Sequence, residues 1–245
     1  MTPSARTRET VGLMISGGVD SAILLVHLLD RGYRVQPIYV SMGCAWDVSE
    51  RRAVGRFVNA LNDDAILPVV DLAMPVGDLY GDHWSITSQG VPDESTPDEA
   101  VYLWGRNPLL LVKPVLWCQQ NGIAELALGT LVSNPFADAS QEFFEQFAAA
   151  LATATQSHIT ILRPLARWTK SQILALGAHL PLGLTFSCLA PDEGRHCGRC
   201  NKCAERAQAL ATLPGGDPTL YADTIQIVST QRARRSAEFR REIFY

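Results

Sequence analysis

This sequence predicts an α/β fold: a doubly wound parallel sheet, followed by a small cysteine-rich segment and a helical tail. Three observations carry that expectation. Short apolar runs alternate with stretches of helical periodicity from residue 11 to residue 177. A glycine-containing turn, Ser16-Gly17-Gly18-Val19-Asp20-Ser21, joins the first apolar run to the first helical stretch. Four of the six cysteines crowd into residues 188–203. The 245 residues are 47% hydrophobic and 19% charged, ordinary for a globular chain with a substantial core. The expected division is an α/β domain over residues 1–185 and the cysteine-rich segment with its tail over 186–245.

The elements follow in order. Residues 11–15 form a short apolar run closed by glycines and read as a buried strand. Residues 21–30 are apolar and periodic, with Gly32 as a stop signal, and read as a helix. Residues 35–40 and 66–70 read as the second and third strands, separated by a helix over 49–61 with Val54, Phe57, Val58 and Leu61 on one face. Residues 74–100 form a polar stretch rich in glycine and proline, and loops of that length serve as lids or binding loops. A helix over 107–121 tolerates Pro108 in its first turn, while Pro114 is expected to bend it. Strands over 124–128 and 159–162 and helices over 140–154 and 169–176 complete the alternation.

Charge and hydropathy exclude some functions. No stretch approaches the ~18 uninterrupted apolar residues of a membrane-spanning helix. The polar N-terminus with Arg6 and Arg8 is unlike a signal peptide, so a soluble, cytoplasmic protein is expected. A net charge of −4 argues against a large nucleic-acid footprint. The exception is the tail, where Arg232, Arg234, Arg235, Arg240 and Arg241 alternate with Glu238 and Glu242. That pattern reads as a solvated helix face, with an RNA contact or a subunit contact as the functional alternatives.

In a doubly wound sheet, ligands sit beyond the carboxyl ends of the strands. The loops there are 16–21, 41–47, 71 onward, 129–138 and 165–170. In the first, Gly17 and Gly18 let the backbone turn tightly and present amide N–H groups to an anion. The helix N-terminus adds its positive end, and Ser21 adds a hydroxyl. Asp20 beside a phosphate suits Mg²⁺ binding; its plain structural role is to cap the helix. The loop is not a Walker loop, since no Gly-x-x-x-x-Gly-Lys-Ser/Thr is present.

Cys188, Cys197, Cys200 and Cys203 follow the spacing Cys-x8-Cys-x2-Cys-x2-Cys. Four thiolates so close suit a tetrahedral, structural Zn²⁺ site. The Cys-x2-Cys-x2-Cys portion also resembles an iron–sulfur ligand run.

Ser-Gly-Gly-Val-Asp-Ser resembles the PP-loop signature of the N-type ATP pyrophosphatases. With the cysteine pattern that follows, the chain is identified as similar to the 7-cyano-7-deazaguanine synthase family. The likeness spans most of residues 11–206 through Gly105-Arg106-Asn107, Gly129-Thr130, Asp138, Phe143, Pro164-Leu165, Thr169-Lys170 and Thr185-Phe186-Ser187-Cys188. It implies ATP cleavage between the α and β phosphates and adenylation of a deazapurine carboxylate such as 7-carboxy-7-deazaguanine. Ammonia or another amine then attacks, giving an amide or a nitrile.

The resemblance also implies Mg²⁺ and structural Zn²⁺, a homodimer, and a set of site residues. ATP would be bound by Ser16, Gly17, Gly18, Val19, Asp20, Ser21, Arg106, Asn107 and Gly129. Asp20, Ser21 and Lys170 would act in catalysis. Arg106, Asn107 and Asp138 would contact the substrate. The structural readings are a helix cap and surface salt bridge for Arg106 and Asn107, helix N-terminal charge bias for Asp138, and a solvated helix face for Lys170.

The chain departs from the family on the substrate side. Ala139-Ser140 replaces Cys-Arg, Phe136-Ala137 replaces Tyr-Pro, and Gly43-Cys44-Ala45-Trp46 replaces a loop carrying Gln-Arg-His. These changes leave the amine acceptor open, a macromolecular one included. Two other functions compete: a tRNA thiolation enzyme using Cys44 or an iron–sulfur cluster, and a non-catalytic nucleotide-binding module. Cys44 and Cys118 otherwise read as buried apolar residues. Of the histidines, only His83, beside Trp84, lies where it could serve a site.

Overall fold

The computed structural model describes residues 8–225, so the arginine-rich tail lies outside the described residues. Five strands form one parallel sheet: β1 (Thr10–Met14), β2 (Arg34–Ser41), β3 (Val70–Ala73), β4 (Glu125–Ala127) and β5 (Thr160–Leu162). Their order is β3-β2-β1-β4-β5. The chain winds outward from β1 to β3 and then returns to place β4 on the other side of β1. The topological switch point therefore lies between β1 and β4, as the doubly wound reading expects.

Helices cover both faces, which is why the central strands β1 and β2 are largely apolar on both sides. On one face, Val11, Leu13, Val35 and Tyr39 meet Ile23, Leu24 and Leu28 of α1 (Val19–Asp30). Val54 and Phe57 of α2 (Asp47–Leu61) join the same cluster. On the other face, Ile38 and Leu126 pack with Leu111 and Val115 of α5 (Arg106–Gln120) and Phe144 of α6 (Gln141–Thr155). Α7 (Lys170–Leu176) adds Ile173 to the first cluster, and α8 (Asn201–Leu210) adds Leu210. No helix among the described residues is long and apolar enough to cross a membrane.

The third strand lies later than residues 66–70. Ile66 makes only an isolated bridge to Val35. Pro68 then offers no N–H to the ladder, and its carbonyl accepts from Gln36 Nε2 at 2.6 Å instead. Regular pairing with β2 starts only at Val70, opposite Ile38.

The polar stretch over 74–100 is an ordered layer. It contains two single-turn helices, α3 (Gly77–Tyr80) and α4 (Trp84–Thr87). Asn201 ties it to the cysteine segment, its backbone N–H donating to Pro92 O at 2.8 Å and its Nδ2 to Thr96 O at 2.9 Å. Met42, Trp46, Phe186 and the four clustered cysteines form a third apolar cluster beneath this layer.

Candidate active site

The switch point opens into a cleft of about 400 Å³. Its floor is the loop after β1. Ser21, buried in the first turn of α1, donates through Oγ to Gly18 O at 3.1 Å and accepts from Ser16 N at 3.2 Å. These bonds close the loop on itself. Gly17 has φ of +77°, and a Cβ there would stand 2.7 Å from Glu50 O, so only glycine fits. Its carbonyl accepts from Phe186 N at 2.8 Å, which fastens the cysteine segment to the loop. From the other side, Gly129 follows β4 so closely that a Cβ would approach Ser21 N at 3.3 Å.

Capping is not the role of Asp20. Gly18 occupies the cap position, with extended backbone and no side chain to offer. Asp20 falls inside the first turn, where its carboxylate meets Lys170 Nζ at 2.6 and 2.9 Å. Both side chains keep about 30% exposure, 28% for Asp20 and 31% for Lys170, so the pair opens onto the cleft. Lys170 is thus not a solvated helix-face residue. A capping box, in which Thr169 Oγ1 and Gln172 Oε1 exchange bonds with each other's backbone N–H, sets the start of α7 and so positions it.

Arg106, Asn107 and Asp138 also come together. Asn107 donates from its backbone N–H to Asp138 Oδ2 at 3.2 Å and from Nδ2 to Asp138 O at 3.0 Å. Asp138 therefore does satisfy a helix N-terminus, that of α5. Its Oδ1, however, is buried without a protein partner, and so is Arg106 Nε. Arg106 makes no surface salt bridge among the described residues. Unpaired buried polar atoms are costly, and both residues line the cleft, where a polar ligand edge would satisfy them. Trp46 and Trp84 form an aromatic wall, with ring centroids 5.9 Å apart. His83 is the cap of α4, its Nδ1 accepting from Ser85 N at 3.2 Å, which accounts for it structurally.

Two acidic residues went unnoticed in the sequence. Asp47 organises the loop after β2, accepting from Ser41 Oγ at 2.8 Å, Gly43 N at 2.8 Å and Cys44 N at 3.2 Å. Glu50, in the first turn of α2, lines the cleft. Burial pushes its carboxyl up to about 8, against the opposing pull of Arg106. A Glu one turn into an amphipathic helix carries no local signal that separates it from a solvent-facing one. Cys44 is buried, and burial with the nearby Asp47 pushes its thiol up to about 12.

Cys188, Cys197, Cys200 and Cys203 converge with all four Sγ atoms within 4.8 Å of one another. The Cys188–Cys200 and Cys197–Cys203 separations are 4.0 and 3.9 Å. Tetrahedral ligands at about 2.3 Å from a metal would stand about 3.8 Å apart, so the cluster fits an ion. Leu189 N and Cys197 N donate to Cys200 and Cys188 sulfur, as outer partners of thiolate ligands do.

The fold and cleft define a nucleotide-binding α/β protein with a PP-loop and a tetracysteine cluster able to hold a metal. Residues 10–213 match the family described as queuosine biosynthesis protein QueC, and the chain belongs to that family. A 7-cyano-7-deazaguanine synthase of Methylobacillus flagellatus is 31% identical over 226 residues, covering 88% of this chain and 97% of the relative. The 7-cyano-7-deazaguanine synthase of Methanothrix thermoacetophila is 30% identical, covering 85% and 96%. Among solved structures, NMN synthetase from Francisella tularensis aligns with TM-score 0.43 at 15% identity, covering 77% of this chain and 68% of that one.

Proposed function

We propose that this chain activates a deazapurine carboxylate, such as 7-carboxy-7-deazaguanine, with ATP and passes the activated acyl group to an amine. One observation carries the reading: the PP-loop, the Asp20–Lys170 pair, and Arg106 and Asp138, each with a buried unsatisfied atom, all line one cleft. The amides of residues 16–21 cradle the departing pyrophosphate, where charge develops. Lys170 holds Asp20 in place and adds positive charge beside the phosphates. Mg²⁺, when bound, would be held by Asp20 and would offset phosphate charge. Asp138 Oδ1 accepts from the N–H edge of a guanine-like ring, and Trp46 and Trp84 offer that ring an apolar face.

The substrate carboxylate attacks the α phosphorus, pyrophosphate leaves, and the amine displaces AMP to give an amide. A second activation, with loss of water from the amide, gives the nitrile. The cysteine cluster would take Zn²⁺ and order the segment that begins the 186–245 division, beside the 1–185 division. A homodimer is part of the reading, as is an amine donor that is either ammonia or a group on a macromolecule. The thiolation alternative gains no support from Cys44, whose buried thiol is a poor nucleophile.

The test is ATP turnover with 7-carboxy-7-deazaguanine and ammonium, with products identified by mass spectrometry. AMP, pyrophosphate and a deazapurine amide or nitrile are expected. AMP release without a small-molecule amide would assign a different amine. No substrate-dependent AMP would overturn the reading.

A further inference from the structure

Among the polar side chains facing the cleft, Glu50 has no part in the chemistry so far. It sits where α2 abuts the PP-loop, its own carbonyl packed against Gly17. Its carboxyl shares the cleft wall with Trp46, Trp84 and Arg106. The charged and titratable groups around it are Arg106 from α5, Asp47 from its own helix, Tyr39 from β2 and Cys44 from the loop between. Arg106 is the positive group among them.

Resting on the activation reading above, we propose that Glu50 is the general base that makes the amine nucleophilic. An amine arrives largely as its ammonium form, which cannot attack. The Glu50 carboxylate takes one N–H proton, and the freed lone pair forms the new C–N bond at the acyl carbon. The acyl–oxygen bond then breaks, AMP leaves with the electron pair, and the second proton lost from nitrogen passes to water once Glu50 has released the first. A carboxyl poised near neutrality matches this task better than an ordinary exposed glutamate. The placement also explains why a carboxyl is kept at such a partly buried spot: Arg106 makes its ionised form accessible.

The experiment compares wild type with Glu50→Gln in two steps. Substrate-dependent exchange of pyrophosphate into ATP reads activation alone, and product formation reads amine attack. With ammonium, Glu50→Gln is expected to keep exchange while losing product by roughly 10²- to 10⁴-fold, the usual worth of a general base. Hydroxylamine, uncharged at neutral pH, should restore product in the variant as a hydroxamate. The wild-type rate with ammonium should rise with pH through a midpoint near 8, and in the variant that limb should move up to the titration of ammonium itself.

Equal product rates and pH profiles in both proteins would overturn the assignment. Parallel loss of exchange and product, unrescued by hydroxylamine, would also overturn it, because Glu50 would then act in activation or folding. Glu50→Asp, which keeps a carboxylate, should recover part of the ammonium-dependent rate; no recovery in a folded variant counts against the assignment. Absence of exchange in the wild type would instead sink the activation reading itself.

Discussion

Adding one carbon to the PP-loop should disable it. In Gly17→Ala the new Cβ would sit 2.7 Å from Glu50 O, a backbone atom that cannot swing aside. The left-handed φ of +77° costs an L-residue about 1–2 kcal/mol. Overpacking against α2 costs about 1–3 kcal/mol more. The total of about 2–5 kcal/mol lowers the Tm of a chain this size by roughly 4–20 °C. Gly32 supplies the control, since it has φ of +87° and nothing within 4 Å of an added Cβ. Gly32→Ala should therefore show only the conformational part, about 1–2 kcal/mol. Thermal unfolding of both variants, followed by ATP titration, checks this. Gly17→Ala should unfold well below Gly32→Ala and bind ATP weakly. Equal unfolding of the two variants would refute the close approach of the loop to α2.

Asp20→Ala should abolish AMP formation while shifting Tm little, because a partly exposed ion pair contributes only about 0–1 kcal/mol; full activity would remove the role given to this residue. Cys200→Ser should lose metal and solubility, since metal binding and local folding are one equilibrium. A soluble variant that still carries one metal per chain would contradict the ligand set. Glu50 also predicts a pH signature in stability. Its carboxyl rises from 4.5 unfolded to about 8 folded, so its neutral form favours the fold below about 4.5 and that contribution fades as pH rises through 8. Glu50→Gln should therefore gain on wild type in denaturant midpoint as pH rises across that window, and parallel curves would contradict the burial of the carboxyl.

What was legible in the sequence was local. The alternation of apolar runs and periodic stretches located β1, β2, β4, β5, the four long helices α1, α2, α5 and α6, and the shorter α7, because burial against the core writes itself into each element. The third strand was misplaced by a few residues, since the apolar run does not show that Pro68 interrupts the ladder. The glycine loop and cysteine cluster were readable because their ligand spacing is short. Asp20 and Lys170 are 150 residues apart, and nothing near either predicts the other. Glu50 was invisible for the same reason: the groups that set its carboxyl, Arg106 and Tyr39, come from other elements.

The bond from Phe186 N to Gly17 O has a consequence for synthesis. On the ribosome, β1 and its turn emerge well before Phe186, which completes the turn from 169 residues further along (186 − 17). Lys170 comes late as well. A nascent chain stalled before those residues can pair β1 with β2 and β2 with β3 but holds an unfinished anion cradle. Such long-range closure slows folding and delays it until residues 170–186 are made. Incomplete chains are thereby kept from the geometry that the proposed reading assigns to ATP cleavage, with no separate inhibitor needed.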